Sequence, residues 1–455
     1  MSHGGHDDRD GAGGLPGSKW GGGTAPQADG GASAASQSEA PAAEQADAAG
    51  GTVTYWSWST QAAEADKQQI AYVEEQNPNL KINLEYISNS DYWTKLPVAI
   101  NSGTGPDLYC MTRPSFELYA SSGMTMDLTE LVASSEKLTE YMNSLTPELQ
   151  ETYKFDGKLM AIPITVESTA IAYNKDAFEA AGLPDLKEIE DTWTWDDYAD
   201  LARQLTVKDA NGETTQWGCW IAPDRVPFWE KIWSAGYEMF NEDKSVCTIG
   251  QQGIVDAFQP LVDLYKEGVS PDSVNVPNST YGDDVFISGK IAMIPAGIWK
   301  VTSYQNITTF DWDVAQLPLD PTTGKRTSSS NVLGLCINPN TKNAAAAVAT
   351  LEQLVQPDCM KIYADTGVFV PALASVRDSY FEMEVPSNVK AYQKAMDYVH
   401  PNTLTQYIPY EQFGKFQNNA LRSAYTGTMT LQEALKDAEN QINAVMEDTK
   451  KQQAE

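Results

Sequence analysis

Between residues 51 and 110 the hydrophobic pattern switches repeatedly between a period of two and a period of 3.6, and few folds are open to a chain that does so. Gly51-Thr-Val-Thr-Tyr-Trp56 is a β-branched and aromatic run that reads as a strand. An amphipathic helix is predicted from about Ala62 to Gln76, a second strand over Lys81–Tyr86 and a second helix over Asp91–Ser102. Gly103-Thr-Gly-Pro-Asp107 then turns the chain into a third strand that ends at Cys110. Strands alternating with helices pair in parallel through right-handed crossovers, which implies an open α/β sheet with ligands at the carboxyl ends of its strands. Trp58 and the Met111–Phe116 loop fall at those ends.

A chain of 455 residues is too long for one ordinary core, so two lobes or more are expected. Its 62 acidic residues against 31 basic ones give a formal charge of −31. Such a field repels phosphate backbones and anionic lipid, which excludes nucleic acid as a partner and favours a neutral or cationic solute. No apolar run approaches the ~20 residues that cross a bilayer. The five cysteines (Cys110, Cys219, Cys247, Cys336, Cys359) are odd in number and widely spaced, without a Cys-x-x-Cys pair. They signal neither a disulfide framework nor a zinc site and read as small buried apolar residues. Of three histidines, His3 and His6 stand in the N-terminal leader and only His400 lies further on, so no metal or other cofactor is expected.

Residues 1–51 are rich in Gly, Ala, Ser, Gln and Asp and are predicted to be disordered, since they carry too little apolar surface to offset their ordering entropy. Met1 to about Gly23 reads as an appended leader, because Gly-Gly-His-Asp-Asp-Arg-Asp resembles no secretion signal. Residues 25–51 read as a tether.

The most informative stretch is residues 153–176. An Asp156-Gly157 turn leads into a short apolar strand stopped by Pro163, and a second strand, Ala170–Tyr173, runs into an Asn-Lys-Asp helix start. Between them lies the polar run Thr165-Val166-Glu167-Ser168. The stretch closely resembles the crossing between lobes in the solute-binding proteins of ABC importers, in the sugar-binding family that includes maltodextrin-binding protein. Further matches follow in family order: Phe178–Pro184 with Thr192–Ala202, the latter a helix capped by Thr194; Phe286–Trp299, with its Gly-Lys turn, buried strand and Gly-x-Trp loop; Trp312–Pro318; Val332–Asn338; and Gly367–Pro371, a segment that often closes the second lobe's core. The resemblance covers about Gly51 to Met446.

It implies a two-lobed periplasmic-binding-protein-like fold, each lobe an open mostly parallel sheet flanked by helices, the lobes joined by hinge segments. With crossings near Ile162-Pro163, Ala315–Pro318 and Val355–Asp358, the N-terminal lobe would hold residues 52–163 and 316–357, and the C-terminal lobe 164–315 and 358–455. A neutral carbohydrate, in particular an oligosaccharide, would be captured between the lobes by a monomer and delivered to ABC transporter permease subunits. Cell-surface attachment, through a native N-terminal lipid anchor absent from this sequence, would place it outside a Gram-positive-type bacterium, or in the periplasm of a Gram-negative one.

A sugar site needs aromatic platforms and hydrogen-bonding side chains at their rim. By resemblance, Glu167 makes charge-assisted bonds to hydroxyls and Trp299 stacks on a sugar, the two facing each other across one cleft. Trp58 follows a strand end, Trp220 and Trp229 flank the Pro223–Pro227 loop, and one of Tyr410, Phe413 and Phe416 replaces a stacking tryptophan of the family. Arg113 stands where the family's maltose contacts are not preserved; it is either a bidentate donor to hydroxyls or part of a surface ion pair. Asp283 is either a hydroxyl ligand or part of a helix N-cap. Aromatics plus carboxylates also fit a secreted glycoside hydrolase or a carbohydrate-binding surface protein with no transporter, although no catalytic motif is present.

Overall fold

The computed structural model describes residues 50–276, 280–401 and 404–454. The disorder expected over residues 1–51 thus falls, apart from Gly50 and Gly51, outside the described residues. Strand β1 (Gly51–Ser57), helix α1 (Ala63–Gln76), β2 (Leu80–Tyr86), α2 (Asn89–Asn101) and β3 (Leu108–Thr112) follow the predicted order. Val53, Tyr55 and Ser57 alternate inward from β1, whereas every residue of β3 is buried because it has strand neighbours on both edges. Asp107 ties the two together: its carboxylate accepts from the Thr54 amide at 2.8 Å and hydroxyl at 2.9 Å. Where a loop was expected after Met111, β3 runs directly into α3 (Arg113–Ser121), whose early Pro114 occupies a position with no helical hydrogen bond to lose.

Beyond α4 (Pro147–Glu151) comes a hairpin in which Asp156 and Gly157 take φ of 48° and 75°, the mirror-image turn that matches strand twist. The chain leaves the first sheet through β4 (Ile162–Pro163), β5 (Thr165–Val166) and β6 (Thr169–Asn174). Next come α5 (Trp195–Gln204), α6 (Arg225–Ser234), α7 (Gln252–Lys266) and α8 (Tyr281–Ile287). The predicted Thr194 cap is present as a reciprocal box with Asp197. Strands β7 (Met293–Gly297) and β8 (Trp312–Ala315) then pair on either side of β6, both antiparallel to it. This sheet is therefore not mostly parallel in its pairings. The strands β7 and β8 run the same way, and β6, arriving from the first sheet, lies between them in the opposite sense.

From β9 (Ser328–Ser330) the chain returns as β10 (Leu333–Ile337), completing a first sheet of order β2-β1-β3-β10-β4. Gly334 is required there: a Cβ would stand 2.5 Å from the Tyr153 ring. Then follow α9 (Ala344–Leu354), α10 (Pro357–Thr366), β11 (Val370–Pro371), β12 (Val399–Pro401), α11 (Tyr410–Thr426) and α12 (Leu431–Ala454). The expected crossing at Val355–Asp358 is displaced. Pro357 starts a helix that stays against α1, where Gln69 donates to the Cys359 carbonyl at 3.0 Å and the Tyr363 hydroxyl to Asp66 at 2.8 Å. Val370 then pairs with Val166, and the Ala372 amide donates to Ile164. Cys359, Met360 and Tyr363 bury one face of α10 in the first lobe's core, so this segment cannot belong to the second.

Buried side chains form two clusters, and β6 feeds both by simple alternation: Ala170 and Ala172 face one, Ile171 and Tyr173 the other. All five cysteines are buried free thiols.

Candidate functional site

The segments that connect the two sheets converge on one cavity of about 710 Å³. The first supplies Val166 and Glu167, between β5 and β6; the second supplies Ser330 and Val332, between β9 and β10. Arg113 enters from the carboxyl end of β3, as the strand-end rule requires. Glu190, which does not line the cavity, accepts from the Gln316 amide at 3.0 Å, from Asn388 at 2.9 Å and from Lys394 at 2.8 Å.

Glu167 is only 4% exposed. Burial pushes its carboxyl up from 4.5 to about 8, against a smaller lowering effect from a hydrogen bond with Asn331. Near pH 7 the empty site therefore holds mostly a neutral acid, which can donate one hydrogen bond and accept others. The charge-assisted bond expected from the sequence would require this proton to leave when a ligand binds. Arg113 is 9% exposed and forms a two-bond pair with Glu117 on the same helix, Nη2 to Oε1 at 2.6 Å, with its guanidinium 5.1 Å from the Phe116 ring centroid. The pair is not at the surface. Two of the five guanidinium donors are held by Glu117, leaving the others for a ligand.

The remaining predicted residues separate into two kinds. Trp229 and Phe413 are sealed in the second core at 0% exposure; the Trp229 indole donates to Gln417 at 2.6 Å and its ring meets Phe413. Neither faces a ligand, because α6 and α11 pack these faces on each other. Tyr410 is half-buried and covered by the Arg225 guanidinium, 3.8 Å from its ring centroid. Asp283 is no cap: its carboxylate is bound by Lys300 Nζ at 2.7 and 2.9 Å and by the Tyr304 hydroxyl. Trp58, Trp220 and Trp299 keep partly exposed rings outside the lining of the cavity. Trp58 rests on Tyr92 and Trp93, and Trp220 lies against Tyr281. The Trp299 ring folds back over Gly297, where a Cβ would come within 2.1 Å of it, so the glycine of the Gly-x-Trp loop is what lets the ring lie there.

Sequence reasoning missed the wall formed by Arg377, Asp378, Phe381, Met396 and Asp397. The available signal was Arg377 and Phe381 at helical spacing in a run of mixed charge and aromatic residues. Carboxylates, two guanidinium groups, a neutral acid and a phenyl ring together suit a polyhydroxylated ligand with apolar faces. Among the described residues no group of three or more His, Cys, Asp or Glu side chains is placed to hold a metal ion.

Residues 68–396 match the family model described as bacterial extracellular solute-binding protein. The chain belongs to that family. A relative from Brucella abortus, named as a binding protein, is 25% identical over 380 residues, covering 82% of this chain and 87% of its own length. The galactooligosaccharide-binding protein of Bacillus subtilis is 26% identical over 230 residues, 48% of each chain. Among solved structures, an ABC substrate-binding protein from Listeria monocytogenes in complex with cycloalternan superposes with a TM-score of 0.77 at 25% identity, over 87% of this chain and 98% of that one. This family consists of binding proteins rather than enzymes, which sets the hydrolase alternative aside. Its fold is the two-lobed one implied by the sequence, and its place is outside the cytoplasmic membrane.

Proposed function

We propose that this solute-binding protein captures a neutral oligosaccharide in the cavity beside Glu167 and Arg113 and delivers it to an ABC importer permease. The observation that carries this reading is the convergence of the inter-sheet connections on a partly apolar cavity with a buried carboxyl and a partly committed guanidinium, within a family of extracellular binders. Relatives named for oligosaccharides support the ligand class. The charge of −31 disfavours anionic solutes. A ligand touching both lobes stabilises their closed arrangement, which is the state a permease would distinguish from the empty one. Trp299, and secondarily Trp58 and Trp220, whose partly exposed rings lie outside the lining of that cavity, are the proposed stacking platforms for parts of the ligand that extend beyond it. A native lipid anchor ahead of the N-terminal tether and action as a monomer complete the proposal.

Calorimetric titration with a broad panel of neutral sugars, followed by chromatography of the recovered ligand, tests it. Binding of an oligosaccharide recovered intact, with compaction seen by small-angle scattering, is expected. Binding of an amino acid or peptide with no response to any sugar would refute it.

A further inference from the structure

The two connections between the sheets are tied to each other at both ends, and the tie on the second sheet's side is made by a buried acid outside the lining of the cavity. On the first sheet's side the Leu333 amide donates to the Thr165 hydroxyl at 3.2 Å, and the Ile164 amide to the Leu333 carbonyl at 2.8 Å. On the other side the Thr169 amide donates to the Ser328 hydroxyl at 2.9 Å, and the Thr169 and Ser328 hydroxyls lie 3.0 Å apart. Glu230, in the middle of α6 and 2% exposed, completes the knot. Its Oε1 accepts from the Thr169 hydroxyl in one connection and from the Ser329 amide, at 2.9 Å, in the other. Helix α6 buries Phe228, Trp229, Ile232 and Trp233 in the second core, so its backbone is a firm anchor for that oxygen. Between the two ties lie residues 166–168 and 330–332. Of these, Val166, Glu167, Ser330 and Val332 line the cavity.

We propose that Glu230 is a positioning residue for ligand capture: by holding both connections on one oxygen it makes them a single pivot, confines bending to residues 166–168 and 330–332, and brings Glu167 and Ser330 to the ligand together. The proposal rests on the reading above that the Glu167 cavity is where ligand is captured. Hinges are short stretches that absorb backbone rotation. Here those stretches carry the cavity's own side chains, so a connection that bent alone would part Glu167 from Ser330. A carboxyl oxygen has two lone pairs, which the two donors fill. Burial pushes the Glu230 carboxyl up from 4.5 to about 8, against smaller lowering effects from those two hydrogen bonds, so near pH 7 it is mostly a neutral acid whose carbonyl oxygen accepts. Glutamine reproduces that oxygen and the shape. Methionine fills the space without an acceptor.

The test compares the whole chain with its Glu230→Gln, Glu230→Met and Thr169→Val variants, the last removing the hydroxyl contacts to Glu230 and Ser328 while keeping the branched shape. Hydrogen exchange of the empty protein reads the pivot without any ligand. The amides of residues 169 and 329 should have protection factors within about threefold of each other in wild type and Glu230→Gln, and should separate by about tenfold or more in Glu230→Met and Thr169→Val. Calorimetric titration then uses di- to tetrasaccharides of the galacto-, arabino-, malto- and cello- series, each variant being held below its own denaturation transition. In the series that binds, Glu230→Gln should stay within about twofold of wild-type affinity, and Glu230→Met and Thr169→Val should each bind about tenfold more weakly. Thr169→Val carries the comparison should Glu230→Met fail to fold. Amides that keep matched protection in the folded variants lacking the tie, or wild-type affinity in those variants, overturn the pivot. So does a loss in Glu230→Gln equal to that in Glu230→Met, which would make charge rather than the accepting oxygen the working element. Absence of binding in every series, with the exchange pattern as expected, overturns the carbohydrate reading alone.

Discussion

Replacing Glu167 by glutamine should stabilise the empty protein, by an amount that grows with pH. Burial raises the folded-state pKa of this carboxyl to about 8, whereas in the unfolded chain it returns to ~4.3. The unfolded state thus releases its proton from about pH 4.5 upward while the folded state keeps it to about pH 8, so stability is present at low pH and lost as pH rises through that window. Each pH unit inside the window costs up to ~1.4 kcal/mol, and the interval from pH 5 to 7 roughly 2–3 kcal/mol. Glutamine has the same shape and does not titrate. Urea denaturation of both proteins at pH 5, 6 and 7 isolates the effect, because other groups, including the similarly buried Glu230, titrate alike in both and cancel in the difference. The advantage of Glu167→Gln should increase by about 2–3 kcal/mol across that range. A difference that stays constant to within ~0.5 kcal/mol would show that Glu167 is ionised in the folded state and that burial does not govern it.

Trp229→Ala should lower stability by ~3–5 kcal/mol in denaturation, since it empties a sealed site and strands Gln417. Trp299→Ala should leave the melting curve nearly in place and weaken sugar binding by about tenfold in calorimetry; the opposite pattern would reverse the two assignments. Asp320→Ala should cost ~3–5 kcal/mol because it leaves Lys231 charged and buried, whereas Asp365→Ala, in an exposed pair with Lys361, should change denaturation by less than ~0.5 kcal/mol. Burial pushes the thiols of Cys110, Cys219 and Cys247 up to about 12 and raises those of Cys336 and Cys359 as well. A thiol reagent at pH 8 should therefore label all five only after denaturation, and rapid labelling of the native chain would contradict the packing.

Local features were legible in the sequence to within a residue or two. The strand at Gly51, the helix ending at Gln76, the Asp156-Gly157 turn and the Thr194 cap all depend on interactions between near neighbours, and side-chain period and turn chemistry record those directly. The polar run around Glu167, framed by apolar strands, was visible for the same reason. Strand direction in the second sheet was not, because whether β7 and β8 run with or against β6 depends on how a long excursion through α5 to α8 returns. Nor was the placement of α10, whose apolar face is equally compatible with either lobe until α1 is there to receive it.

The amino-acid sequence by itself determined the order of elements, the family and the presence of a polar segment at a chain crossing. Only the tertiary structure decided which aromatics are free to meet a ligand. Trp229 and Trp299 are the same residue in similarly apolar surroundings along the chain, yet α11 closes over one and the other stays partly open above Gly297. It likewise decided that Glu167 is held neutral near pH 7 and that Arg377 and Phe381 stand beside it, some 200 residues away. Burial and long-range proximity are properties of the packed whole: desolvation needs a surrounding wall, and that wall is assembled from segments whose separation along the chain carries no trace of their distance in space.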